Sequence, residues 1–284
     1  MKIGLALAGG GLKGVAHIGA LKALEEIGIK PEYISGTSSG SIMAAMYAMG
    51  CSTDEMTKMV KERYTSLTTI EKKPIVASAL NYLVHKELKM EGLTSGEKIE
   101  NVVNEIANAK GIYNISDINM NFAVATVDTI STKECIFLSK KFDLKNDDIE
   151  YIYDIPIGKA VRASMSFPGI FTTCNFDKYN FIDGGTKDNL PVKVLKDMGA
   201  DKVIALSFRL DDYTPSSNML SILLRTVDIF SIKDVKAAQK LADLAIEIDA
   251  SGTSLLSIDD MDKCLKVGYD TIMQHKEEIL EMLK

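Results

Sequence analysis

Twice within its first 50 residues the chain runs from an apolar stretch through a glycine-rich turn into a helical pattern. Residues 2–8, KIGLALA, read as a buried strand, and the loop GGGLKG follows. Val15, Ile18, Leu21, Leu24 and Ile27 then hold one helical face, closed by Gly28. Tyr33–Ser35 is a second short strand leading into the turn GTSSG, and Ile42–Met49 reads as a helix of small residues ending near Gly50. Strands separated by helices imply an α/β layered domain with a mostly parallel sheet.

The same reading extends along the chain. Ser52-x-x-Glu55 and Thr94-x-x-Glu97 have the spacing of capping boxes, each ahead of a helix. Strands are expected at Phe122–Val127, Cys135–Leu138 and Lys202–Ser207, and a helix at Gly158–Ala163. Met261–Leu283 reads as one final amphipathic helix. Without a repeat, a low-complexity tract or a linker, residues 1–284 form one expected domain. Residues 65–91 fit the alternation least well and read as an inserted cap. Residues 75–90 read first as a core helix, with covering the site and meeting a membrane surface as the alternative, and 219–232 carry a similar apolar surplus suited to that role or to a dimer contact.

Composition narrows the function classes. With 46% apolar residues the chain can bury a large core, and a net charge of −6 argues against a nucleic-acid binder. Cys51, Cys135, Cys174 and Cys264 form no CxxC pair, so reduced thiols are expected instead of a zinc site or a disulfide framework. The apolar run at the N-terminus is shorter than the roughly 7–15 residues of a signal-peptide core. No run approaches the roughly 18 residues that would span a bilayer. A soluble, cytoplasmic protein is expected, with peripheral membrane contact and a non-Sec export route both left open.

Gly9-x-Gly11-x-x-Gly14 follows a strand and opens a helix, as a dinucleotide-binding loop does, and Glu32 stands where a ribose-binding acid is expected. Consecutive glycines at a helix start also leave backbone N–H groups unshielded, which suits any anion, including the oxyanion of an acyl-transfer intermediate. Gly36-Thr37-Ser38-Ser39-Gly40 is a G-x-S-x-G turn between a strand and a helix, the setting that exposes the hydroxyl of Ser38. Ser35, Ser39 and Ser41 read as turn and capping residues. The two loops together supply a nucleophile and a donor cradle, and a dehydrogenase has no use for the first.

A serine needs a base, and the chain has three histidines. His17 lies on the helix behind the glycine loop and reads as a structural, hydrogen-bonded residue. His85 lies off the apolar face of 75–90, and His275 at the edge of the last helix's stripe. Carboxylates remain, and FIDGGTKDNLPV at 181–192 places Asp183 at a strand end before two glycines. Alone this is an ordinary Asp-Gly turn.

LALAGGGLKGVAHIGALKALEE, ISGTSSGSI, RASMSFPGIF and FIDGGTKDNLPV occur in this order, and the chain here resembles the patatin-like phospholipases from Met1 to about Ala200. The resemblance implies a three-layer patatin-like fold and hydrolysis of lipid acyl esters by a Ser–Asp dyad without histidine, metal or cofactor. Ser38 would be the nucleophile and Asp183, of Asp183-Gly184-Gly185, the base. Gly9, Gly10, Gly11, Leu12, Lys13 and Gly14 would form the oxyanion loop, with Gly36 and Gly40 shaping the elbow. Lys13 matches a commonly basic position, and Ser39 stands where the family often has alanine. A phospholipase A and a lysophospholipase are both compatible. The rivals are a nicotinamide-nucleotide oxidoreductase using Gly9–Gly14 and a non-catalytic lipid-binding protein on the same fold. Glu247-x-Asp249-x-Ser251-Gly252 mimics a calcium loop, but Ile258 takes the place of its bidentate acid.

Overall fold

The computed structural model describes residues 1–68, 92–210, 219–251 and 258–284. His85 and nearly all of the expected insertion at 65–91 lie outside the described residues, as does the stretch 75–90.

β1 (Ile3–Leu7) and β2 (Tyr33–Thr37) are adjacent and parallel, with Gly4 opposite Tyr33 and Leu7 opposite Gly36. On the other edge of β1 lie β10 (Lys202–Phe208) and then β11 (Leu244–Ile248), both parallel. Beyond β2 comes β4 (Asn121–Asp128), again parallel, followed by antiparallel β5 (Glu134–Leu138) and β6 (Ile149–Ile152). The path is β11-β10-β1-β2-β4-β5-β6, with β8 (Cys174–Phe176) and β9 (Tyr179–Asp183) joined at its side. β3 (Gly92–Thr94) and β7 (Gly169–Phe171) form a separate parallel pair.

Period-two alternation sorts the central strands into two buried faces. Leu5, Leu7, Ile34, Phe122, Val124, Ile204 and Leu206 point into the larger core. That core is shared with α1 (Ala16–Glu26), α2 (Ser39–Ala48), α4 (Glu97–Ala109), α5 (Ile157–Ser164) and α8 (Ile258–Gln274). Ala6, Ala8, Ala123, Ala125, Val203 and Ala205 face the other way, toward α6 (Val192–Asp197) and α7 (Met219–Leu241). The result is the expected three-layer arrangement. α1 and α8 touch backbone to backbone. A Cβ on Gly19 would lie 1.9 Å from the Leu265 carbonyl oxygen, and one on Gly268 1.9 Å from that of Ala16.

Local signals match in most places. Ser52 and Glu55 form a reciprocal box at the start of α3 (Thr53–Thr68): Ser52 N–H donates to Glu55 Oε2 at 2.7 Å, and Glu55 N–H to Ser52 Oγ at 3.2 Å. Thr94 does not cap. It belongs to β3, and α4 starts from Gly96 in the left-handed conformation (φ 73°) with no side-chain cap. The final helix is two, α8 and α9 (Lys276–Met282), broken at His275, whose Nδ1 is 2.8 Å from the Thr271 carbonyl oxygen.

Candidate active site

β2 ends at Thr37, and α2 begins at Ser39. Ser38 makes the reversal alone, with φ 52° and ψ −128°. A non-glycine residue in such a conformation costs about 1–3 kcal/mol and persists only where the surroundings over-determine it. Here they do. Ser38 N–H donates to Ser164 Oγ at 2.9 Å, and that hydroxyl donates to the Ala125 carbonyl at 2.7 Å. The Ser38 carbonyl accepts from both the N–H and the hydroxyl of Ser41, at 2.9 and 2.6 Å. The flanking glycines are needed for close approach: a Cβ on Gly36 would stand 2.4 Å from the Gly40 carbonyl oxygen, and one on Gly40 2.3 Å from that of Leu7.

Register brings Asp183 to the same point. β2 leaves the edge of β4 at the pair Thr37–Ala125. From the next residue β9 takes over that edge in the opposite direction, with Thr126 opposite Asp183. The residue just past the end of β2 and the last residue of β9 therefore meet. Gly184 passes so close to β4 that a Cβ would fall 2.4 Å from the Ala125 carbonyl oxygen. Asp183 is 1% exposed. Its Oδ1 accepts from Gly185 N–H at 2.8 Å, whereas Oδ2 is buried and makes no full hydrogen bond to any described group. Burial raises its pKa to about 6, against the opposing pull of the Ser38 hydroxyl and the Gly185 N–H.

The glycine loop after β1 is held peptide by peptide. His17 Nε2 donates to the Ala8 carbonyl at 2.9 Å. Burial pushes the imidazole pKa down to about 4, so it is neutral at physiological pH. Asn189 grips Gly9 from both sides, its carbonyl accepting from Gly9 N–H at 3.2 Å and its Nδ2 donating to the Gly9 carbonyl at 3.3 Å. Gly10 N–H donates to Ser39 Oγ at 3.1 Å. Lys13 N–H returns to the Gly10 carbonyl at 3.3 Å, closing a 3-10 turn over Gly11–Val15. The N–H groups of Gly11 and Leu12 open this turn, so no carbonyl within it can accept from them. Gly11 itself has φ 59°. Lys13 is buried, and Gly14 fits against Ser39, 2.6 Å from whose Cβ and Oγ any Cβ would fall.

Ser38, Asp183 and the Gly9–Gly14 loop thus converge at one end of the sheet. Glu32 does not join them. It precedes β2, donating its N–H to the Ile3 carbonyl, and so stands at the far end from the glycine loop. A ribose-binding acid must follow that strand, which removes the support for a dinucleotide site. Ser35 and Ser39 are also more than turn residues. Ser35 Oγ donates to the Pro191 carbonyl at 2.7 Å and Thr37 Oγ1 to that of Asp188 at 2.7 Å, fastening the 184–191 loop to β2. Asn189, Ser164 and Arg162 carry no sequence signal of their own, although each lies within one of the four motifs shared with the family. Buried Arg162 donates to Ser166 Oγ and to the Thr172 carbonyl, and the Ser166 carbonyl accepts from Asp183 N–H at 3.0 Å. One turn along α2 from Ser38, Ile42 joins Met46, Met59, Val60, Ile99 and Val102 around an apolar cavity.

Similarities to known proteins fit this arrangement. The family model for the patatin-like phospholipases matches residues 5–196. A lysophospholipase NTE1 of Coccidioides immitis is 31% identical over 214 residues, 75% of this chain and 12% of that protein. The human patatin-like phospholipase domain-containing protein 6 is 30% identical over 217 residues, 76% of this chain and 14% of its own length. The chain therefore spans only a small part of these relatives. In fold it is similar to the crystal structure of VipD from Legionella pneumophila, with a TM-score of 0.51 at 14% identity, covering 98% of this chain and 67% of that one. The chain belongs to the patatin-like phospholipases.

Proposed function

We propose that this protein is a serine hydrolase of lipid acyl esters in which Ser38 is the nucleophile and Asp183 the general base. The observation that carries the reading is the buried Asp183 Oδ2, without a full hydrogen bond, beside a serine held at a strained strand-to-helix turn. Asp183 takes the Ser38 proton as Oγ attacks the ester carbonyl. Negative charge on the carbonyl oxygen meets the N–H groups of Gly11 and Leu12, reinforced by the positive end of the turn they open. Collapse expels the alkoxide, which recovers the proton from Asp183. Water then gives its proton to Asp183 and attacks the acyl-Ser38 ester, and the carboxylic acid leaves as Ser38 is restored.

The similarity to lysophospholipases supports a glycerophospholipid or lysophospholipid as the acyl source. Such substrates sit in membranes, so peripheral contact with a bilayer belongs to the proposal. Four buried, unbridged cysteines support a reducing, cytoplasmic setting. A fluorophosphonate probe tests the chemistry. Wild type should label and hydrolyse lysophosphatidylcholine, and Ser38→Ala should do neither while melting normally. Labelling that persists in Ser38→Ala refutes the assignment.

A further inference from the structure

Helix α7 presents an outward face with two chemically different halves. Ile222, Ile229 and Phe230 are 47, 61 and 70% exposed, large fractions for side chains of this size. At about 100° per residue they share one face with Thr226, Lys233, Lys236, Ala237 and Lys240. The Thr226 hydroxyl donates to the Ile222 carbonyl at 2.8 Å, so even this polar residue adds no free hydroxyl. The N-terminal half of the face is therefore apolar, and the C-terminal half carries three exposed lysines. Asp228 and Asp234 project roughly 100° or more to either side of it. The opposite side is bound to the core: Val235 and Ala238 pack on the alanine-lined face of the sheet, and Gln239 Nε2 donates to Ser207 Oγ at 3.0 Å.

The helix also lies beside the candidate site. α7 packs on the Gly184–Thr186 turn that follows Asp183. Leu223 Cδ1 lies 3.1 Å from where a Cβ on Gly169 would stand. We infer that this face of α7 docks on an anionic lipid surface, with Ile222, Ile229 and Phe230 entering the acyl boundary and Lys233, Lys236 and Lys240 meeting headgroups. Charge complementarity selects this occupant over a second copy of the chain. A two-fold contact along the whole face would set lysines against lysines or against the apolar half, and on a protein of net charge −6 this cationic stretch orients the face toward an anionic surface. The inference rests on the lipid-ester reading and adds to it the face by which the site reaches its substrate.

Sedimentation with phosphatidylcholine vesicles, with and without phosphatidylglycerol, tests it alongside hydrolysis of p-nitrophenyl butyrate. Ile229→Asp with Phe230→Asp should lower vesicle partition at least about 10-fold, since two apolar side chains lose their burial. Lys233→Gln, Lys236→Gln and Lys240→Gln together should lower it about 100-fold, at about fivefold per lysine, on phosphatidylglycerol-containing vesicles alone. Rates on the soluble butyrate should not change in either variant. The chain has no tryptophan, so Phe230→Trp supplies a single reporter whose emission should shift to the blue with anionic vesicles. Unchanged partition of the aspartate variant overturns the docking face. So does a wild-type dimer that the same substitutions split without loss of vesicle binding. If instead wild type docks as described but hydrolyses neither ester, the docking face stands and the catalytic reading falls.

Discussion

A carboxylate can draw a proton from serine only where water does not compete for it, and Asp183 shows what that isolation does. Its folded pKa of about 6 lies above its ordinary value because burial penalises the ionised form. As the proposed base, Asp183 must be ionised to act, so kcat should fall about tenfold per pH unit below pH 6 and level off above it, as a pH–rate profile on a soluble ester would show. Stability runs the other way. The cost of the buried charge is absent below about pH 4, grows as pH rises toward 6 and is complete above it. Asp183→Asn should therefore lose about 10²- to 10⁴-fold in kcat. The same substitution should melt higher than wild type at pH 8, by up to about 3 kcal/mol of stability, with no such gain at pH 4. A lower melting temperature at pH 8 would contradict the placement of that charge. Asn189 acts on the other arm of the site. Asn189→Ala leaves its carbonyl on Gly9 N–H but frees the Gly9 carbonyl, and displacements near 1 Å cost about 10²-fold. Its loss should appear in kcat with KM nearly constant and the apparent pKa of about 6 retained. Ser39→Ala only releases the Gly10 N–H, which can then turn toward the oxyanion, and activity should stay within about tenfold of wild type.

Among elements, the α1–α8 pair is the most exacting contact, because two backbones meet where Gly19 and Gly268 leave out a side chain. Gly268→Val must push the helices apart, and overpacking of this kind costs about 1–3 kcal/mol. A chemical denaturation curve should show the loss while folded molecules keep the wild-type kcat, since neither helix carries a reacting group. The elements were largely legible in the sequence because apolar periodicity reports the face an element buries. β1, β2, β4, β5, β10, α2 and α5 all fall where the pattern puts them, with α2 reaching back to Ser39. The misses arise where that signal is silent or overridden. The apolar stripe continues on both sides of His275, so period alone cannot show the break between α8 and α9. Thr94 and Glu97 have capping spacing, but Thr94 pairs with Phe171 in the β3–β7 ladder, and tertiary pairing outweighs the local option.

For the whole molecule, the strand–turn–helix units gave the parallel sheet, and the two glycine-flanked turns gave the places where chemistry could sit. Which groups meet there was less visible. Glu32 has the right distance along the chain for a ribose-binding acid, yet it precedes its strand, and only the sheet shows which end that is. Asn189 sits inside one of the family motifs, but its partner Gly9 is 180 positions away, a pairing no local pattern encodes. Asp183 reaches Ser38 because β9 replaces β2 on one edge of β4. That replacement sets a schedule as well as a shape. Long-range pairings close late, after the chain entropy of the intervening segment has been given up, and a nascent chain folds from its N-terminus. Once the ribosome has released the chain through β4, β2 and β4 can pair, but the edge beyond Ala125 stays empty and Ser38 lacks its proposed base. Not until the 184–191 loop emerges to fasten onto Ser35, Thr37 and Gly9 are the proposed nucleophile, base and donor loop all in place. On the proposed chemistry, a half-made chain lying against a membrane would leave its lipids intact.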